Sequence, residues 1–203
     1  MQTVAISFCA MSHHRNPKAL LTPAMHYVID RMVRAARVPM HLLTPVQARE
    51  AYAAGAAVLE LPSHGLDRVE ARTVVARDGY PITVRVYAPH HGPLPVLVYL
   101  HGGGFTTAVD DAWDVVQWLS GNGDQWTLDN QRVAVGGDSA GGTLATVCAI
   151  YARDAGIPLA LQLLFYPGCV GHQSTASHRK FAHGFVLEEP SITYFFDHYV
   201  RTP

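Results

Sequence analysis

Gly137-Asp138-Ser139-Ala140-Gly141 sets a serine between two glycines, directly after the apolar run 132–135 and at the head of the helical stretch 140–154. A glycine-flanked turn from strand to helix can hold the serine in a strained backbone conformation, with no side chain two residues away to crowd it, so that its Oγ projects above a sheet. The helix N-terminus also points free N–H groups at negative charge forming beside that oxygen. Such a serine can act as a nucleophile; the plainer reading is a serine capping a helix after a glycine turn.

A second glycine cluster, His101-Gly102-Gly103-Gly104-Phe105, follows another apolar run, 96–100. Three bare residues leave N–H groups exposed, and such groups near a nucleophile can bind a tetrahedral oxyanion. The competing use is a phosphate cradle, but neither G-x-x-x-x-G-K-[S/T] nor G-x-G-x-x-G at a first strand-to-helix turn is present.

The elements that must position these residues begin with helix. Leu21, Met25, Val28, Ile29, Met32, Val33 and Ala36 recur at three- and four-residue spacings ahead of Pro39. A second helix follows Thr44-Pro45, a cap residue with proline at the first helical position, and runs towards Leu59. The period then changes to two strands, 69–76 and 82–87, joined by Asp78-Gly79 as a hairpin. Beyond them the runs 96–100, 132–135 and 159–166 predict parallel strands, the first and last buried on both faces, separated by helices over 108–120 and 140–154. Thr107 and Asp110 have capping-box spacing. The segment 168–187 is polar and loop-like, and Ile192, Phe195, Phe196 and Tyr199 give one last amphipathic helix.

A chain of 203 residues is enough for one sizeable core, and its 49% hydrophobic and 15% charged composition excludes a disordered or highly charged chain. The formal net charge of -1 supplies no basic field, so no nucleic-acid partner is expected. Three cysteines, Cys9, Cys148 and Cys169, without a C-x-x-C pair, argue against a disulfide framework and a zinc site and fit a reducing compartment. Met1–Ala10 lacks the basic start of a secretory signal, and no apolar run approaches the roughly 18 residues of a membrane span, so a cytoplasmic protein is expected. The pairs His13-His14 and His90-His91 do not have the spacing of metal ligands on one face.

With HGGGF at 101–105, TAVDDAWD at 107–114, RVAVGGDS at 132–139 and GDSAGG at 137–142, in that order, the sequence resembles the hormone-sensitive-lipase-like family of α/β-hydrolases. The resemblance implies carboxylesterase or lipase chemistry on a small-molecule ester, through a serine acyl-enzyme and without a cofactor. By that likeness Ser139 is the nucleophile, and the N–H groups of Gly103, Gly104 and Ala140 form the oxyanion hole. His101 is structural, and Asp138 shapes the turn around the serine. The implied fold is a mostly parallel sheet with helices on both faces and a helical cap. Residues 1–60 would supply N-terminal cap helices, 61–167 the hydrolase core and 168–203 a second cap segment.

Two departures from the family pattern stand out. HGGGF runs almost straight into TAVDDAWD, where the family carries a further helix, a strand and a D-Y-R-L-A-P-E stretch; one strand–helix unit is expected to be missing. The chain also reaches Pro203 before the strands that hold the family's triad acid and histidine, which follow the serine in chain order. Downstream of Ser139, Asp154 lies at the far end of the helix the serine begins, roughly 20 Å away at about 1.5 Å per residue. Asp197 adjoins His198, and helix neighbours point apart. Glu188 and Glu189 open the last helix, and His172, His178 and His183 fall in the polar tail. The alternative expectation is therefore a catalytically incomplete, truncated member that binds a small acyl ligand or has no selected activity. Acyl length, alcohol and oligomeric state stay open at this level.

Overall fold

The computed structural model describes residues 16–59, 64–105 and 107–200. The expectations for Met1–Ala10, Cys9 and His13-His14 lie outside them.

Helix α1 (Pro23–Arg34) starts where Thr22 accepts a hydrogen bond from the Met25 N–H, and α2 (Pro45–Leu59) follows the predicted Thr44-Pro45 start. The Thr44 hydroxyl accepts from the Gln47 N–H at 3.3 Å, while the Gln47 side chain takes the Thr44 N–H at 3.0 Å, a reciprocal cap. Of α1's apolar stripe, Ile29 is buried while Met25, Met32 and Val33 are exposed.

Strands β1 (Arg68–Val75) and β2 (Pro81–Ala88) pair antiparallel from Arg68↔Ala88 to Val75↔Pro81. Gly79 takes a φ of 89° in the connecting turn, where the Asp78 carboxylate also accepts the Tyr80 N–H. The three remaining strands, β3 (Leu94–Leu100), β4 (Leu128–Asp138) and β5 (Leu161–Phe165), form a separate parallel sheet in the order β3-β4-β5. Helices α3 (Val109–Asn122) and α4 (Ala140–Asp154) make the crossovers. The hairpin is not hydrogen-bonded to this sheet; it is attached through side chains, with Val74, Ile82 and Val84 packing into the common core. This is the physical outcome of the missing strand–helix unit: the edge of β3 is left unpaired among the described residues instead of closing onto the hairpin.

That core joins Val98, Val133 and Val135 of the sheet to Val116 and Leu119 of α3 and to Ala145 and Cys148 of α4. Both crossover helices therefore lie on one face of the sheet. The expected arrangement, helices on both faces and strands buried on both sides, is corrected here: Leu97, Tyr99, Leu161 and Phe165, which alternate onto the opposite face, are 45, 47, 57 and 44% exposed. No helix among the described residues covers them. Two local expectations are also corrected. Ala108, not Thr107, is the N-cap of α3, and its methyl side chain has no acceptor to offer the first turn; Asp110 lies 3.6 Å from the Arg77 guanidinium instead of closing a capping box. The polar tail holds a short helix, α5 (Ala176–Lys180), nucleated by a capping box between Thr175 and His178, in which histidine takes the place usual for Glu or Gln. The final helix, α6 (Glu189–Tyr199), forms as expected.

Candidate active site

Ser139 occupies the turn between β4 and α4 with φ 52° and ψ -122°, a conformation that is costly for a residue with a side chain. The strain is held by the frame around it. The Ser139 N–H donates to the Phe165 carbonyl at the end of β5 at 3.0 Å, and its own carbonyl accepts the Thr143 N–H at 3.2 Å. The flanking glycines are sterically required. A Cβ on Gly137 or Gly141 would run into the Leu100 carbonyl oxygen, so the end of β3 passes directly behind the turn.

The same strand end carries the glycine loop. Gly103 and Gly104 adopt φ values of 122° and 67°, and the loop is tied to the turn by Asp138. The Asp138 Oδ1 accepts the Gly102 N–H at 2.9 Å and the Tyr99 hydroxyl at 2.8 Å. Partial burial, reinforced by this carboxylate, pushes the Tyr99 phenol up to about 12, so it remains a donor at neutral pH. His101 is exposed, with Nδ1 2.6 Å from the Gly102 carbonyl oxygen. The structure thus brings Ser139, Ala140, Asp138 and the loop 101–104 to one edge of the sheet, at the carboxyl ends of β3 and β4.

Helix α6 lies against this loop. The Phe195 ring occupies the space a side chain on Gly104 would need, and Phe105, itself at φ 62°, stacks on Tyr199 with ring centroids 4.4 Å apart and tilts against Phe196 at 5.7 Å. This aromatic clamp was not foreseen; the signal was present in the Phe195, Phe196 and Tyr199 cluster, but its target is set by tertiary packing.

No carboxylate–histidine pair is assembled on Ser139 among the described residues. His198 Nδ1 lies 2.8 Å from the Tyr194 carbonyl within α6, and His178 caps α5. Asp154 pairs with its neighbour Arg153, the Glu188 carboxylate accepts the Gly184 N–H at 2.7 Å, and His183 lies 3.9 Å from Glu189. An open cavity of about 440 Å³ beside α6 is lined by His41, Glu189, Pro190, Thr193, Tyr194 and Asp197, and not by Ser139. No group of three metal-ligating side chains occurs among the described residues.

A family model described as the alpha/beta hydrolase fold matches residues 105–203. The chain is also similar to the ethyl acetate hydrolase of Pseudomonas putida, 28% identical over 209 residues, covering 82% of this chain and 65% of that one. The chain has the α/β-hydrolase fold. Esterase LipI of Mycobacterium tuberculosis is 33% identical over 156 residues, covering 57% of this chain and 49% of its own length. In three dimensions this chain matches a thermostable esterase from Pseudomonas putida ECU1011 with a TM-score of 0.80 at 27% identity, covering 87% of this chain and 67% of that one. It matches a hyperthermophilic esterase from the archaeon Pyrobaculum calidifontis with a TM-score of 0.82 at 28% identity, covering 90 and 71%. The chain spans about half to two thirds of the length of these curated relatives. The Pseudomonas putida alignment is longer than this whole chain while using only part of it, so the relative carries residues inside the matched span that this chain lacks. That agrees with the abrupt join after Phe105.

Proposed function

We propose that this chain acts on small-molecule carboxylic esters through a serine acyl-enzyme, with Ser139 as the nucleophile and the N–H groups of Gly103, Gly104 and Ala140 as the oxyanion hole. The observation that carries this reading is the strained Ser139 backbone at the head of α4, backed onto the strand end that leads into the glycine loop. Attack by the Ser139 oxygen on the ester carbonyl, its proton passing to solvent, forms a tetrahedral oxyanion, which bare N–H donors and the helix terminus stabilise; collapse breaks the ester C–O bond, the departing oxygen takes up a proton from solvent as the alcohol, and the acyl group stays on the serine. Relatives named as an ethyl acetate hydrolase, an esterase and a carboxylesterase support the substrate class.

The segments 1–60 and 168–203 act in this reading as a cap over a core spanning 61–167. Support comes from the contact between the 3-10 turn Met40–Leu42 and α6, where His41 Nδ1 lies 3.4 Å from the Ser191 hydroxyl, and from the aromatic clamp on the glycine loop. A reducing, cytoplasmic location is supported by Cys148 and Cys169, neither of which is in a disulfide. No helix among the described residues is long and apolar enough to cross a membrane.

A second reading, an incomplete member that binds an acyl ligand without turning it over, is favoured by one observation: no described histidine faces Ser139 with a supporting carboxylate. The two are separated by incubating the chain with p-nitrophenyl acetate, whose leaving group needs no protonation, and weighing the protein. The expected result is an acetyl adduct on Ser139 that accumulates because water attack lacks a general base, and that is absent from Ser139→Ala. An unmodified Ser139 under saturating ester would overturn the proposal in favour of binding alone.

A further inference from the structure

We propose that Tyr99 is a positioning residue for the Ser139 site: its hydroxyl fixes the Asp138 carboxylate, which in turn fixes the glycine loop over the serine. The inference rests on the reading of Ser139 as the nucleophile and adds a residue outside both glycine motifs.

The register explains why these residues meet. Tyr99 pairs with Gly136 across the β3–β4 ladder, so Tyr99, Gly136 and Asp138 alternate onto the same face of the sheet. Gly136 has no side chain to separate the other two; a Cβ there would press on the Leu163 carbonyl at 2.8 Å and on Leu97 at 3.3 Å. The phenol therefore passes along the sheet and donates to Asp138 Oδ1 at 2.8 Å. On the same oxygen, the Gly102 N–H donates at 2.9 Å, and the carboxylate fills the space a Gly102 side chain would occupy.

The next two loop residues, Gly103 and Gly104, have positive φ and wide conformational freedom, so the loop needs an external anchor to aim its N–H groups. With one donor alone, the Asp138 side chain can rotate about its Cα–Cβ bond. A second donor from β3, a regular strand, removes that freedom without touching the reacting atoms. Oxyanion donors are worth most when their direction is set before reaction.

The test follows the rate of Ser139 acetylation by p-nitrophenyl acetate in wild type, Tyr99→Phe, Asp138→Asn, Asp138→Ala and, as an exposed control remote from the site, Tyr80→Phe. Tyr99→Phe keeps the ring and removes the hydroxyl; it should lower the limiting acylation rate about tenfold, less than the loss of a direct oxyanion donor, with the half-saturating ester concentration unchanged. Asp138→Asn retains an acceptor oxygen and should keep most of the rate, whereas Asp138→Ala should lose more than Tyr99→Phe. In ¹H–¹⁵N spectra the Gly102 amide should shift upfield in Tyr99→Phe and in Asp138→Ala and stay in place in Tyr80→Phe. Wild-type acylation kinetics together with an unmoved Gly102 amide in Tyr99→Phe would overturn the proposal. If wild type forms no adduct, the nucleophile reading fails, and the Gly102 amide alone decides whether Tyr99 anchors the loop.

Discussion

The carbonyl oxygen of Leu100 lies where a side chain on Gly141 would have to begin. This contact makes the turn around Ser139 and the exit of β3 a single unit, because neither can move without the other. Alanine at Gly141 must push the strand end away, and forced expansion of a packed site typically costs roughly 1–3 kcal/mol. Gly141→Ala is expected to lose Ser139 acetylation and to lower Tm by about 4–8 °C for a loss of about 2 kcal/mol in a chain of this size. Calorimetry and adduct mass spectrometry on the same preparation check both halves.

Asp114, only 8% exposed, holds the β1–β2 hairpin onto α3: it accepts the Arg77 N–H at 2.9 Å and the Arg77 Nε at 2.8 Å. The Arg77 guanidinium holds the carboxyl below its ordinary range, burial opposes this, and the Arg77 backbone N–H adds to it. Since the hairpin has no ladder to the main sheet among the described residues, the attachment is borne by this link, by the packing of Val74, Ile82 and Val84, and by the buried Arg68, which donates to the Trp126 carbonyl at 3.0 Å. Asp114→Ala should cost about 2 kcal/mol, the scale of charged hydrogen bonds. A folded pKa below the unfolded one stabilises above the ordinary aspartate value of about 3.9 and ceases to do so as pH falls through the depressed folded value. The wild-type advantage over Asp114→Ala, read from urea midpoints, should therefore be flat from pH 7 to about 5 and shrink below about 4.

Cys148 is fully buried on the core-facing side of α4, and burial pushes its thiol up to about 12, whereas Cys169 is exposed. The reactive species is the thiolate and it must be reached by the reagent, so of these two cysteines only the exposed Cys169 should react at pH 8. In a Cys9→Ser background, Ellman's reagent should titrate one thiol in the native chain and two in urea. Rapid native reaction of both would show that α4 does not stay packed on the sheet.

Among the described residues one sheet face is uncovered and the β3 edge is unpaired, which makes self-association the expected failure of the chain. Leu97→Thr with Phe165→Thr, at half-exposed positions, should reduce light scattering and dye binding at high concentration while shifting Tm by no more than about 2 °C, as surface substitutions usually do. Unchanged scattering would place the sticky surface elsewhere.

The motifs around Ser139, the hairpin at Asp78-Gly79, α4 and α6 were all legible from the residues alone, because each depends on contacts within a few positions of the chain. Glycines two residues either side of a serine imply a tight turn wherever it is packed, and an apolar period of 3.6 implies a helix with one buried face. What covers a face is a different kind of question. The runs 96–100 and 159–166 read as strands buried on both sides, yet the second side depends on an element from another part of the chain, and both described crossover helices sit on the first. The Tyr99–Asp138 bond, the seat of Phe195 on Gly104 and the Arg77–Asp114 link were decided in the same way. They join residues 37 to 91 positions apart, and only sheet register and helix docking bring such partners within hydrogen-bond or van der Waals reach.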